Sequence, residues 1–270
     1  MNYMDIGMRA HDLKVNTPSL LRECAKEHGI DYIQLALRKS FNTINWTNHT
    51  FSVGLAEKIK RDLGDLRIAV LGSYVDLAAE GEALENAIAV FRQNMLFAKY
   101  LNAGVVGTET STGYCECSEE EYQRVVKVVR LLADEAEKLG VMIAVEGVYI
   151  HPINTPEKMK RLIDEVNSPN LLVIFDPINY IDGNNYINQD EIILKSFELF
   201  ADKMTMIHLK DFKIVDGRRV NVRIGEGMFN FKLLLECVNK YKPGIDMTLE
   251  GSSAEFCEAD IKYVLSQIND

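Results

Sequence analysis

Two hydrophobic periods alternate along the chain. Short runs of six or seven residues rich in apolar and β-branched side chains are separated by longer segments in which apolar residues recur three and four positions apart. The short runs are residues 3–8 (YMDIGM), 31–37 (DYIQLAL), 67–72 (RIAVLG), 104–109 (GVVGTE), 141–146 (VMIAVE), 171–176 (LLVIFD), 204–209 (MTMIHL) and 245–250 (IDMTLE). Strand-length runs alternating with helical segments predict parallel strands joined by crossover helices.

The helical segments carry matching punctuation. Thr17 before Pro18 and Thr155 before Pro156 each place a capping hydroxyl ahead of a proline in the first turn. Ser118 with Glu121, and Ser252 with Glu255, have the spacing of a capping box. Gly29 and Gly140 close helical patterns just before strands. With no linker rich in Pro, Gly or Ser, this pattern predicts one domain over residues 1–270, an α/β fold closed as a single (β/α)8 TIM barrel rather than an open doubly wound sheet. No GxGxxG follows the first run, which removes the usual pointer to a dinucleotide site. The fourth and seventh connections are the least regular. Residues 213–228 (KIVDGRRVNVRIGEGM) set turn signals around an alternating middle, and predict a long loop on the catalytic face with a short hairpin inside it.

Composition adds exclusions. Apolar residues make up 47% and charged residues 26%, enough for a sizeable core. A formal net charge of -10, with no Lys/Arg run to override it, argues against a nucleic-acid partner. No stretch approaches the roughly 20 apolar residues of a membrane span, and no signal-peptide pattern opens the sequence, so a cytoplasmic location without membrane attachment is expected. Five scattered cysteines make no disulfide framework. Cys115 and Cys117 form a CxC without a second pair or a nearby histidine, and are expected to be surface thiols in a loop.

In a β/α barrel the active site lies at the C-terminal ends of the strands. The last four runs bring Glu146, Asp176, His208 and Glu250 to those ends. Taken singly, a carboxylate before Gly or Pro reads as a turn residue and His208 as a core histidine. Their joint placement on four successive strand ends points instead to one site. Three carboxylates and an imidazole, without sulfur, suit Mn2+, Mg2+, Co2+ or Zn2+ with positions left for a substrate, and a cation relieves the repulsion among the acids. Glu109, Arg9 and Gln34 end the fourth, first and second runs and are candidates for the pocket wall. Arg9 and Glu109 are equally suited to pair with each other.

The blocks VEGVYIHPINTPEKMKRLID (145–164), IFDPINYI (174–181), IHLKDF (207–212), GEGMFNF (225–231) and TLEGS (248–252) resemble the sugar isomerase/epimerase group of the xylose-isomerase-like TIM-barrel superfamily. The resemblance implies one divalent metal, manganese favoured, held by Glu146, Asp176, His208 and Glu250. It implies that Glu146 and Glu250 are the general acid/base pair, moving a proton beside a carbonyl through a metal-stabilised enediolate of a sugar or sugar phosphate. A homodimer or homotetramer is implied by the resemblance alone. His151 matches a histidine that contacts substrate in related members, with a loop-stabilising role as the alternative. Lys210 is a candidate to hold a substrate oxygen or phosphate, and Asp211 to orient a ligand from behind.

Two departures stand out. The position three residues after the aspartate ligand, usually histidine in ketose 3-epimerases of the group, is Asn179, which is expected to hydrogen-bond a hydroxyl. The position six residues beyond the histidine ligand, usually arginine, is Ile214, leaving Arg218, Arg219 or Arg223 to reach in from the loop. Both count against free-ketose 3-epimerisation more than against the metal. The competing classes are a dehydratase of a cyclic polyol, an abasic-site endonuclease-like hydrolase and a barrel that binds without turnover. Only five histidines, at 11, 28, 49, 151 and 208, and the acidic balance speak against the hydrolase. Two opposed glutamates speak against mere binding.

Overall fold

The structure, a computed structural model, describes residues 6–46 and 50–268; His49 and the opening of the first hydrophobic run lie outside them. In chain order the elements are β1 (Ile6–Arg9), α1 (Pro18–Glu27), β2 (Tyr32–Leu35), α2 (Leu37–Ser40), α3 (Val53–Leu63), β3 (Arg67–Gly72), α4 (Gly81–Leu101), β4 (Val105–Glu109), α5 (Glu119–Leu139), β5 (Met142–Glu146) and α6 (Pro156–Val166). They continue with β6 (Leu171–Phe175), α7 (Gln189–Phe200), β7 (Met204–Leu209), β8 (Asp211–Val215), β9 (Arg218–Val222), α8 (Phe231–Tyr241), β10 (Asp246–Leu249) and α9 (Cys257–Ser266). Each of the eight hydrophobic runs contains a strand, and the eight close into a parallel barrel in the order β1-β10-β7-β6-β5-β4-β3-β2.

Alternation along the strands decides what faces inward. Tyr32, Val70, Ala144, Ile174 and Met206 belong to a small buried cluster within the barrel, whereas their strand neighbours Ile33, Leu71, Val145, Phe175 and Ile207 belong to the large core beneath the helices. Side chains two positions apart share a face, so the inward phase continues from Ala144 to Glu146, from Ile174 to Asp176 and from Met206 to His208 and then Lys210. Thr248, buried and bonded to Met206 Sδ at 3.4 Å, likewise leads to Glu250, and Tyr32 to Gln34. An apolar floor thus hands over to polar side chains at the same end of every one of these strands.

The helix punctuation is mostly as the sequence predicts. Thr17 accepts from the Leu20 amide, Thr155 from the Lys158 amide, and Ser118 with Glu121 forms a complete capping box. Ser252 and Glu255 do not form one, because α9 begins only at Cys257; Ser252 Oγ instead donates to Asp260 Oδ2 at 2.6 Å. The long seventh connection contains an antiparallel hairpin, β8 with β9, turned by Asp216 and Gly217 with positive φ of 50° and 73°. This is the backbone that an Asp-Gly hairpin turn requires. Arg219 ties the hairpin to the loop after β6 by donating to the carbonyls of Ile178 and Ile181, and stacks at 5.0 Å over Tyr149.

The CxC motif is not a pair of surface thiols. Cys115 is buried, its amide donates to the Ile150 carbonyl at 2.9 Å, and Cys117 Sγ donates to the His151 carbonyl at 3.1 Å. These bonds fasten the loop after β4 to the loop after β5. Among the described residues no helix is long and apolar enough to cross a membrane.

Candidate metal centre

Glu146, Asp176, His208 and Glu250 each offer an atom lying within 4.8 Å of the others, and among the described residues they are the only such group of metal-binding side chains. His208 Nδ1 is 3.1 Å from Glu250 Oε2, 3.3 Å from Glu146 Oε1 and 3.7 Å from Asp176 Oδ2. Glu146, Asp176 and His208 are almost wholly buried, and Glu250 is 17% exposed, so the cluster opens to solvent on the Glu250 side.

Local sequence explains each placement. Asp176 precedes Pro177 and caps a short 3-10 turn, its Oδ1 accepting from the Asn179 amide at 3.0 Å while Oδ2 turns to the cluster. Glu146 precedes Gly147 because the space beside Gly147 belongs to Tyr180: a Cβ there would lie 2.2 Å from the tyrosine oxygen. Asn179 Nδ2 donates to Glu146 Oε1 at 2.6 Å, and Lys210 Nζ donates to Asn179 Oδ1 at 2.7 Å. Lys210 also pairs with Asp176 Oδ2 at 2.7 Å and with Glu250 Oε1 at 3.2 Å. Asn179 and Lys210 therefore form one buried bridge between the two glutamates.

Charges in this space act strongly on one another. Burial opposes charge on His208, yet Glu146, Asp176 and Glu250 raise its pKa well above the ordinary value. Burial also opposes charge on Glu250 and Asp176, yet Lys210 and His208 hold both acids below the usual carboxylate range. His208 Nδ1 is buried with only the three carboxylates around it, and Asp176 Oδ2 is buried with the Lys210 ammonium beside it. Hard oxygen donors with one imidazole, converging on one buried point, fit a divalent cation.

The other side of His208 is committed. Nε2 lies 3.0 Å from Gln34 Oε1, and Gln34 Nε2 donates to Tyr74 Oη at 3.1 Å. Burial and then Glu146 and Glu250 keep the Tyr74 hydroxyl protonated, with a pKa well above the ordinary phenol. Tyr74 was not legible as a site residue: it follows the end of β3 in a stretch that reads as a turn, although it stands two positions beyond Gly72. Asp12 is a second such residue. It takes both Nε and Nη2 of Arg9, at 2.8 and 3.2 Å, and the Gly251 amide at 3.0 Å.

The remaining expected residues divide. Arg9 reaches the centre, its Nη1 3.0 Å from Glu250 Oε1, and does not pair with Glu109. Glu109 instead lies 3.6 Å from His151 Nδ1; burial and then repulsion from Glu146 and Glu250 raise its pKa to about 8. His151 is buried and its pKa is lowered to about 4 by desolvation. Asp211 does not orient a ligand. Its carboxylate accepts four backbone amides, those of Phe212, Gly225, Gly227 and Phe229, at 2.8 to 3.1 Å, and so anchors the loop after β9. Of the loop arginines, Arg219 is spent on the carbonyls after β6, and Arg223 lines a cavity that also touches Arg9, Lys210 and Glu250.

Similar folds are found among solved structures. A xylose isomerase domain protein from Planctomyces limnophilus superposes with a TM-score of 0.77 at 18% identity, over 98% of this chain and 96% of the other. The IolI protein with a bound zinc atom gives 0.74 at 20% identity, over 98% and 96%. The apo form of 3-keto-D-glucoside 4-epimerase, YcjR, from E. coli gives 0.76 at 15% identity, over 98% and 100%. Among curated protein sequences none matches the chain. The sequence-family model of the xylose isomerase-like TIM barrel matches residues 23–266, and the protein belongs to that family.

Proposed function

We propose that the protein is a divalent-metal-dependent isomerase or epimerase of a sugar or sugar phosphate, working by proton transfer between carbon and two glutamates. The observation that carries this is the convergence of Glu146 and Glu250 on one atom, each 3.3 Å or less from His208 Nδ1. Glu146, Asp176, His208 and Glu250 would hold the cation, which when bound supplies positive charge to polarise a substrate carbonyl. The zinc of IolI and the activity of the epimerase YcjR, on the same fold, support the reading.

The two glutamates are not equivalent. Glu146 gives Oε1 to Asn179 and keeps Oε2 without a hydrogen bond among the described residues, so Oε2 is the atom that accepts a proton from the carbon beside the carbonyl. Glu250 gives Oε1 to Arg9 and Lys210, which leaves Oε2 to return a proton. Lys210 and Asn179, linking the two acids, fix their spacing, and the second amide hydrogen of Asn179 is left for a substrate hydroxyl. Arg9 and Tyr74 complete the wall.

The test is hydrogen exchange. Metal-loaded protein is incubated in D2O with ketoses, aldoses and their phosphates, the protein and metal are removed, and the carbohydrate is read by NMR. Chelator-sensitive deuterium beside the carbonyl is expected, and Glu146→Gln or Glu250→Gln should reduce it by at least about a thousandfold while circular dichroism stays unchanged. Absence of exchange across the panel, with metal content verified, would overturn the assignment. Loss of water from a cyclic polyol would turn it to dehydration.

A further inference from the structure

Beside Glu250 opens a cavity of about 410 Å³ that the proton-transfer chemistry does not use in full. One wall is the end of the hairpin, Asn221 to Arg223; the other is the loop after β10, Gly251 to Ser253. These are the connections after the seventh and eighth barrel strands, where β/α barrels frequently seat phosphate groups.

Arg223 is held there in an unusual way. Its Nε donates to Asp260 Oδ1 at 2.9 Å, and its guanidinium lies 4.1 Å over the Phe256 ring. Asp260 is 1% exposed, and its second oxygen accepts from Ser252 Oγ at 2.6 Å. A carboxylate buried behind an arginine fixes one edge of the guanidinium and the aromatic ring fixes its face. The two terminal nitrogens of Arg223 make no hydrogen bond among the described residues, and the side chain is 35% exposed on the cavity wall. The carboxylates that touch the cavity are already answered, Asp260 by Arg223 and Ser252, and Glu250 by Arg9 and Lys210. The cavity therefore offers an anion a preorganised guanidinium fork, with Arg9 and Lys210 toward the metal centre.

We propose that this cavity receives an anionic group, a phosphate ester or a carboxylate, carried at the far end of the sugar whose carbonyl end enters the centre, and that Arg223 selects for it. The inference rests on the isomerase or epimerase reading for the sugar and on the cavity alone for the anion.

The experiment separates the two. Inorganic phosphate is titrated into metal-loaded protein by calorimetry, and deuterium exchange is compared for free ketoses, ketose phosphates and keto-uronates. The same is done for Arg223→Lys and for Arg223→Gln combined with Asp260→Asn, the second change removing the buried charge that the first would orphan. The expected result is exchange that favours an anionic substrate, with the double variant losing roughly 10- to 100-fold in affinity for inorganic phosphate and in kcat/KM for that substrate, and the lysine variant lying between. Metal affinity should not change. Preference for phosphates or for uronates tells which anion is bound, and either supports the cavity. Equal exchange of free and anionic sugars, or phosphate binding that both variants leave intact, overturns the inference while leaving the proton-transfer reading in place. Phosphate binding lost in the variants without exchange of any sugar supports the anion cavity and defeats the sugar chemistry.

Discussion

His208 directs a one-way relay. With a cation bound at Nδ1, Nε2 would carry the proton and donate to Gln34 Oε1; Gln34 Nε2 donates to Tyr74 Oη, and the tyrosine proton would be left for a substrate oxygen. Gln34→Leu is expected to lower metal affinity about tenfold, as loss of a partner behind a histidine ligand does, whereas Tyr74→Phe should leave metal affinity unchanged and lower kcat/KM by roughly 10-fold or more. Calorimetric metal titration alongside exchange rates checks both, and a Tyr74→Phe protein that loses metal would refute the direction of the relay. His151 gives a stability prediction. Its folded pKa of about 4 lies below the unfolded value near 6.5, so the unfolded chain binds the proton first and stability falls as pH drops through that window, levelling near pH 4. The unfolding free energy of the wild type minus that of His151→Gln should fall by on the order of 2 kcal/mol between pH 7 and pH 5, the contribution of Glu109, which has the opposite sign, being common to both. Glu146, Asp176, His208 and Glu250 could be picked out from sequence because each continues a period-two apolar strand. Arg223 could not be told from Arg218 and Arg219, since only the hairpin's register and Asp260 distinguish them.

Elements carry the next level of specification. Strand positions were visible because burial on both faces makes them near-continuous apolar runs, and the hairpin because Asp216-Gly217 leaves few other turns. The start of α9 was misplaced by the Ser252 and Glu255 spacing, because Ser252 is drawn instead to a buried aspartate eight residues on. Asp211 was misread for a related reason: its partners lie 14 to 18 residues away in a loop without periodicity. As the anchor of that loop it should be sensitive to a neutral substitution. Asp211→Asn turns an amide donor toward backbone amides, and is expected to cost about 2 to 3 kcal/mol in denaturant unfolding. Metal affinity at a distance from the loop should be retained.

At the scale of the whole molecule the four donors come from β5 and β7 and from just past the ends of β6 and β10, so binding a cation would draw on the closed barrel rather than on any one segment. A cation that binds only the folded state should stabilise it by about 4 kcal/mol when free metal stands a thousandfold above Kd. Thermal unfolding with and without chelator checks this, and equal midpoints would mean that the cluster holds no ion. The closure also sets an order of events. Glu250 extends the last barrel strand, which pairs with the first through Ile6 with Met247 and Met8 with Leu249, and the Arg9–Glu250 and Asp12–Gly251 contacts cross the same seam. A growing polypeptide emerging from the ribosome therefore presents the fourth donor last, and capture of a cation by all four would wait until the first and last strands zip together. In the finished protein, the rate at which such an ion escaped would be a clock for the unzipping of that seam.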